Sequence, residues 1–327
     1  MTVTSPEERS TTRTTRPRHA EPVASGAEYI VKVDHVTKRY GDHIVVDDLS
    51  FSVPPGRVTG FLGPNGSGKS TTMKIMLDLA AATQGAATIG GSRYRDLPDP
   101  CRTVGAMIES DAFHPGRSGR DHLLILADAT GTPHSRVDDM LEQVGLSGAA
   151  NRRAGAYSLG MRQRLGLAAA LMGEPPVLIL DEPGNGLDPQ GIRTLRDLLR
   201  ARAANGGTVF VSSHLLSEVE HLADDVIVID DGHLVTHGSL AELQHSATLV
   251  RTDDLHRLAG ELEHAGATIH DHGPDSLIVR GMDIDQVGDR AFAAGIALHE
   301  LSPHAGSLEE LFLQWTNQTT TEKDIAS

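Results

Sequence analysis

The sequence predicts a layered α/β core followed by a small α+β unit. Three observations carry this. Between residues 29 and 245, short apolar strand patterns alternate with helical ones, the order that sets helices on the faces of a sheet. Within that stretch Val177–Asp181 is an unbroken apolar run ending in an acid, as a central parallel strand covered on both faces requires. Beyond residue 246 the pattern reads strand, helix, strand, strand, helix, strand.

The elements follow in order. Residues 1–27 are rich in Thr, Arg, Pro and Glu without apolar periodicity, which predicts a disordered tail, and 319–327 reads the same way. Tyr29–His35 alternates as a strand. Ile44–Val53 reads as two short strands around Asp47-Asp48, and Arg57–Leu62 runs as a short apolar strand into a glycine-rich turn. Ser70–Ala81 is a helix with Met73, Ile75, Met76, Leu77 and Leu79 at its buried positions. Residues 118–175 are mainly helical, giving a helical subdomain at about 112–160. Helix Ile192–Ala204, strand Thr208–Ser212 and helix Leu216–Ala223 come next. The hairpin of Val226–Asp230 and His233–His237 turns at Asp231-Gly232. These elements bound a first domain at 28–245. A second, at 246–318, takes strands 248–252, 267–271, 276–280 and 297–302 with helices 254–265, 283–294 and 307–316. Its β-α-β-β-α-β order is that of a ferredoxin-like unit.

Composition narrows the function. The apolar fraction of 39% with only 3% aromatics implies an aliphatic core. A net charge of −15 argues against a protein that coats nucleic acid, whose affinity rests on excess Lys and Arg. It leaves phosphate binding open, because one cradle needs only local dipoles and a cation or two. The single cysteine, Cys101, excludes a disulfide within the chain and points to a reducing cytoplasm. No apolar stretch approaches the roughly 18–20 residues of a spanning helix, and no secretory leader is expected at the N-terminus. Work at a membrane would require docking on something that spans it.

Gly63-Pro64-Asn65-Gly66-Ser67-Gly68-Lys69-Ser70 fits G-x-x-x-x-G-K-[ST] without a mismatch, and Thr71 continues into the helix. Glycines let successive N–H groups converge on phosphate oxygens, and the following helix adds the positive end of its dipole. Lys69 brings a cation to the outer phosphates and Ser70 a hydroxyl for Mg²⁺. Asp181, at the end of the apolar strand, is the second Mg²⁺ candidate, and Glu182 is the candidate to polarise an attacking water. Together these say nucleoside-triphosphate binding and hydrolysis. Ser158-Leu159-Gly160-Met161 lies 23 residues before Asp181 and reads as a capped helix start, a second phosphate-ready terminus. Asp181 already completes one site, so this terminus makes sense if it completes the site of another copy.

These residues, in this order and spacing, resemble the ATPase subunit of an ATP-binding cassette (ABC) transporter over about residues 29–245. The resemblance implies a P-loop NTPase core with a helical subdomain. Gly63–Ser70 resembles the Walker A loop and Asp181-Glu182 the Walker B acids. Ser158–Met161 resembles the signature, and Gly186-Leu187-Asp188 the D-loop. His214, 33 residues past Asp181, resembles the switch histidine, and Tyr40 the aromatic that stacks on adenine. It further implies ATP and Mg²⁺ as ligands, Glu182 and His214 as catalytic residues, and Asp188 and Glu109 as coupling residues. ATP would be held in a head-to-tail dimer, between Walker A of one copy and Ser158 and Gly160 of the other. A separate transmembrane permease would be the partner, with the chain peripheral on the inner face of the cell membrane.

Departures from the common pattern are Met161 in the signature, Glu109 where a glutamine is usual, and Gly184 where a threonine is usual. Met107-Ile108-Glu109, the signature and the ending Ser307–Phe312 resemble the bacitracin-resistance and lantibiotic-immunity branch. That branch implies export of a drug, peptide antibiotic or lipid. The alternative, a soluble ABC ATPase acting on ribosomes or DNA, calls for two cassettes or a long coiled coil between the Walker motifs. Here Asp181 follows Lys69 at an offset of 112, without heptads. His270-x-His272 invites a metal, but without Cys or a quartet spacing it reads as surface histidines, and no nucleic acid is expected as partner.

Overall fold

The computed structural model describes residues 29–108, 112–244, 247–304 and 307–313. The 1–27 and 319–327 tails and Glu109 lie outside these residues. The chain opens with β1 (Val31–Tyr40) and β2 (His43–Val53), an antiparallel pair joined by a tight turn at Gly41. The two strands expected around Asp47-Asp48 are one. Asp48 takes a left-handed φ of 47°, and the ladder shifts register instead of ending. β3 (Val58–Leu62) is buried throughout and feeds the glycine loop before α1 (Lys69–Met76). α1 stops five residues short of the expected Ala81, because Asp78 at φ 54° turns the chain and its carboxylate takes Arg95 at 2.6 Å.

β4 (Gln84–Ile89), α2 (Pro100–Thr103) and β5 (Val104–Met107) follow. Neither strand was expected from the sequence. α3 (Gly119–Thr130) starts on a Ser118 cap and stops at Gly131 in the left-handed region, and α4 (Ser135–Gln143) packs beside it. α5 (Leu159–Leu171) leads to β6 (Val177–Leu180), α6 (Pro189–Ala204), β7 (Thr208–Ser212), α7 (Leu216–Leu222), β8 (Asp225–Asp230), β9 (His233–Ser239) and α8 (Leu240–Gln244). The small unit then runs β10 (Ala247–Arg251), α9 (Leu255–His264), β11 (Thr268–Gly273), β12 (Ser276–Arg280), α10 (Ile284–Ala293) and β13 (Glu300–His304).

Three sheets organise these strands. A six-stranded sheet has the order β5-β6-β7-β3-β8-β9, parallel except for β9. A three-stranded antiparallel sheet, β2-β1-β4, covers one face. Phe51, Phe61 and Phe210 meet between the two with ring centroids 5.0 to 5.8 Å apart. The opposite face packs on the helices around Leu165, Leu171, Leu195 and Leu199, with Leu123 and Met140 continuing the same core into the helical region. The small unit is an antiparallel sheet of order β11-β12-β10-β13, the arrangement that the β-α-β-β-α-β pattern predicts, with α9 and α10 closing its own core.

Residues 307–313 depart from expectation. Assigned with the small unit by sequence, they return to the first. Leu308 is fully buried among Leu62, Val219, Val226 and Leu240, and its N–H donates to Glu220 Oε1 at 3.2 Å.

Candidate nucleotide site

The strand order decides what meets at the C-terminal edge of the six-stranded sheet, where open parallel sheets bind ligands. β6, β7 and β3 are consecutive neighbours, so Asp181-Glu182, Ser212-Ser213-His214 and Gly63 emerge side by side.

The loop after β3 is shaped by close approach. A Cβ on Gly63 would run into the Ile229 carbonyl and sit 2.5 Å from Ser67 Oγ. Gly66 and Gly68 take φ of 89° and 101°, conformations that glycine enters without penalty. Pro64, Asn65 and Gly66 are exposed, and no described side chain caps the first turn of α1 above them. Ser67 Oγ is buried without a hydrogen-bond partner among the described residues, as suits a hydroxyl that meets a ligand oxygen. Lys69 is buried, and its Nζ donates to Gly63 O at 2.6 Å and Pro64 O at 3.0 Å. Burial pushes its pKa down, and the carboxylates of Glu182 and Asp181 oppose that shift. Both acids are therefore within electrostatic reach of the loop. Ser70 is exposed on the first turn and Thr71 half-buried beside it. A hydroxyl and a carboxylate form a donor set that suits a hard dication such as Mg²⁺.

Across from the loop, Asp181 donates its N–H to Met107 O at 2.7 Å and accepts Ser212 Oγ–H on its carboxylate. The same Ser212 oxygen takes the Glu182 N–H at 2.9 Å. Gln163 Nε2 donates to the Glu182 carbonyl at 2.7 Å. Glu182 is held at φ 49°, a strained setting for a residue with a side chain. Its Oε2 meets His214 Nδ1 at 2.6 Å and the His214 N–H at 3.3 Å. The two residues expected to carry chemistry are thus hydrogen-bonded. Glu218, in the first turn of α7, has its carboxyl pushed above the usual carboxylate range by burial and by the Glu182 charge, against the pull of His214. A Cβ on Gly184 would lie 2.6 Å from Glu218 Oε2, so the glycine at this departure leaves the room that Glu218 occupies.

The remaining sequence candidates lie on other elements. Ser158 caps α5 by accepting the Met161 N–H at 3.3 Å, Leu159 is exposed, and Met161 packs on the helical core. Gly160 lies so close to the D-loop that a Cβ would sit 2.6 Å from Gly186 O. Asp188 caps α6 through Gly191 N at 3.0 Å and pairs with Arg164 Nη2 at 2.7 Å; both bonds hold its carboxyl below the usual carboxylate range. Tyr40 is 53% exposed at the end of β1, with Lys38 Nζ 4.5 Å from its ring centre. Among the described residues no three or more His, Cys, Asp or Glu gather as a metal site, and the His272 ring lies edge-on to His304. Sequence reasoning missed Ser212, Gln163, Arg164 and Glu218. Of these only Glu218 had a signal, the unusual Gly184.

A family model described as ABC transporter matches residues 46–185, and one described as a domain of unknown function (DUF8746) matches 246–309. The bacitracin transport ATP-binding protein BcrA of Enterococcus faecalis is 38% identical over 294 residues, covering 87% of this chain and 96% of the relative. The lantibiotic transport ATP-binding protein SrtF of Streptococcus pyogenes is 38% identical over 208 residues, covering 63% of this chain and 89% of the relative. A solved ATP-binding subunit of an ABC transporter superposes with a TM-score of 0.61 at 28% identity, covering 66% of this chain and 92% of that one. No described helix is long and apolar enough to cross a membrane. The chain belongs to the ABC transporter family as an ATP-binding component, an ATPase coupled to transport.

Proposed function

We propose that this ATPase works as a head-to-tail pair of copies beneath a separate membrane permease, and that the pair drives export of a drug, peptide antibiotic or lipid. The names of its relatives, which transport bacitracin and lantibiotics, support the cargo class. The observation that carries the catalytic reading is the contact of Glu182 with His214 beside the Lys69 loop.

In this reading the converging N–H groups of Gly63–Thr71 and the Lys69 ammonium bind the phosphates, and Tyr40 stacks on the adenine. Ser70 and Asp181 hold Mg²⁺, which supplies charge neutralisation to the outer phosphates when bound. Glu182 accepts the proton of the attacking water, and His214 orients that carboxylate and contacts the outer phosphate. Ser212 fixes Asp181 and Glu182 at once, so the acids keep their separation as the site loads. Ser158, Leu159, Gly160 and Met161 of one copy close over the nucleotide of the other. Leu159 is exposed and Ser158 heads a helix, which supports an intermolecular role. Asp188, tied to Arg164 on the signature helix, couples the two sites within each copy.

Glu109 couples the ATP core to the permease. An apolar cavity of about 280 Å³ supports this, because it opens between β5 and the helical region, with Met107, Ile108, Phe113 and His122 on its walls. Attachment through the permease puts the chain at the inner face of the cell membrane.

Light scattering of Glu182→Gln in Mg-ATP tests the pairing. A doubled mass that collapses when Ser158 and Gly160 are both replaced by bulky residues is the expected result. A mass that stays at one copy in both proteins contradicts the shared site.

A further inference from the structure

The chain leaves the ATPase core at α8, builds the whole small unit, and comes back at residues 307–313. One carboxylate holds both crossings. Glu220 Oε1, on α7, accepts the Gln244 side-chain N–H at 2.6 Å and the Leu308 backbone N–H at 3.2 Å. α7 begins at Leu216, two residues after His214, and no described side chain caps its start. The returning segment then runs toward the nucleotide loop. Phe312 packs on the Leu62, Val219 and Leu240 cluster. It also lines a cavity of about 140 Å³ whose other walls are Gly63, Pro64, Asn65, Ser213, His214 and Leu216.

Leu308 and Leu311 are buried, and Phe312 is half-buried against the same cluster. Phe312, one turn further on, sets a flat, stiff ring on the wall of the cavity that the loop after β3 and the loop after β7 also line. Those two loops carry the phosphate cradle and His214. An aromatic side chain there offers large contact area at low entropy cost.

We propose that Phe312 is a positioning residue for the nucleotide site. Its ring sets the distance between the Gly63–Asn65 turn and His214, and Glu220 holds the segment that carries it. His214 can then contact the outer phosphate only while residues 307–313 are seated, so the small unit, spliced between the two Glu220 contacts, controls recognition of that phosphate. This rests on the reading that His214 faces the outer phosphate.

The test compares affinities of the full chain for ADP and for a non-hydrolysable imido analogue of ATP, measured by titration calorimetry. The preference for the triphosphate is the readout, because a merely structural role lowers stability without changing that ratio. Phe312→Ala should lower the preference about fivefold, the scale of one lost hydrogen bond. Phe312→Tyr, which keeps the ring, should keep it, and so should Glu220→Gln, whereas Glu220→Ala should lose it in part. In a His214→Ala background, Phe312→Ala should change the ratio by less than about twofold, since coupled residues do not add.

An unchanged ratio in Phe312→Ala, or an equal drop in both backgrounds, overturns the proposal. A ratio that falls in His214→Ala but not in Phe312→Ala sinks this inference alone. A ratio that His214→Ala leaves intact sinks the reading of His214 together with it. Should circular dichroism show Phe312→Ala unfolded, Glu220→Ala is compared with Glu220→Gln on the same ratio. A fall in the alanine variant alone then supports the proposal, and equal ratios in the two overturn it.

Discussion

At the C-terminal edge of the six-stranded sheet, Lys69 is buried, Ser67 Oγ has no partner among the described residues and Glu182 stands at φ 49°. In the small unit the turns with positive φ at Gly266, Gly281 and Gly295 are glycines, and Asp283 and Gln286 form a reciprocal capping box at α10. Its ion pairs, such as Arg251 with Asp275 at 3.1 Å and His299 with Asp253 at 2.9 Å, lie at the surface. All six described non-glycine residues with positive φ lie before residue 246. Of these six, Glu182 is the acid of the site, and Ser212 and Gln163 over-determine its backbone position. The second region keeps its described positive φ values on glycine, as a part selected for shape does, and buries a polar atom of its own, His304 Nε2, without a hydrogen-bond partner among the described residues.

The largest expected effect lies in the small unit. Leu258 is fully buried between α9 and the sheet, so Leu258→Ala should cost about 2–5 kcal/mol of stability. ATP affinity measured well below the melting point should stay within about twofold, on the scale of measurement scatter rather than of a lost contact. An affinity that collapses with the melting temperature would erase the contrast between the regions. Lys69→Ala is the converse. It removes a charged donor, worth about 1.5–3 kcal/mol, so ATP binding should weaken about 10- to 100-fold with the far-ultraviolet spectrum unchanged.

Asp188→Ala loses a helix cap and an ion pair, and should lower the denaturation midpoint. Asp188→Asn keeps the cap and should recover most of it.

The smallest effect is a pH dependence at Glu218. Burial raises its carboxyl above the usual carboxylate range, so over the interval between the two the folded chain keeps a proton there that the unfolded chain has released. The stability that this proton contributes is full below the ordinary carboxylate pKa and fades as pH rises through the raised one. Melting curves should therefore show Glu218→Gln gaining on the wild type from mildly acidic pH toward neutrality. A difference that stays flat with pH would place no buried proton there.

How much was legible in the sequence follows the same division. The Gly63–Ser70 loop, the Asp181-Glu182 pair and the Ser158 cap are contiguous, and their backbone geometry is set locally. The β-α-β-β-α-β order was readable because each element is short, amphipathic and bounded by turns. Ser212, Gln163 and Arg164 were not readable, because only the order β6-β7-β3 and the packing of α5 bring them to the acids. β4, with Ala86 and Ala87 in its centre, and the four-residue β5 lack the alternation that marks a strand. The return of residues 307–313 was hidden for another reason. Leu308, Leu311 and Phe312 say that one face is covered, not which surface covers it.

The central claim is that ATP is bound and cleaved where the ends of β3, β6 and β7 meet, with Glu182 as the base. Glu182→Gln tests it most directly, with hydrolysis rate and ATP affinity measured on one preparation. The account predicts a rate lower by about 10²- to 10⁴-fold, the usual cost of losing a general base, at an affinity changed by less than about threefold. A wild-type rate in a mutant that binds ATP normally would contradict it.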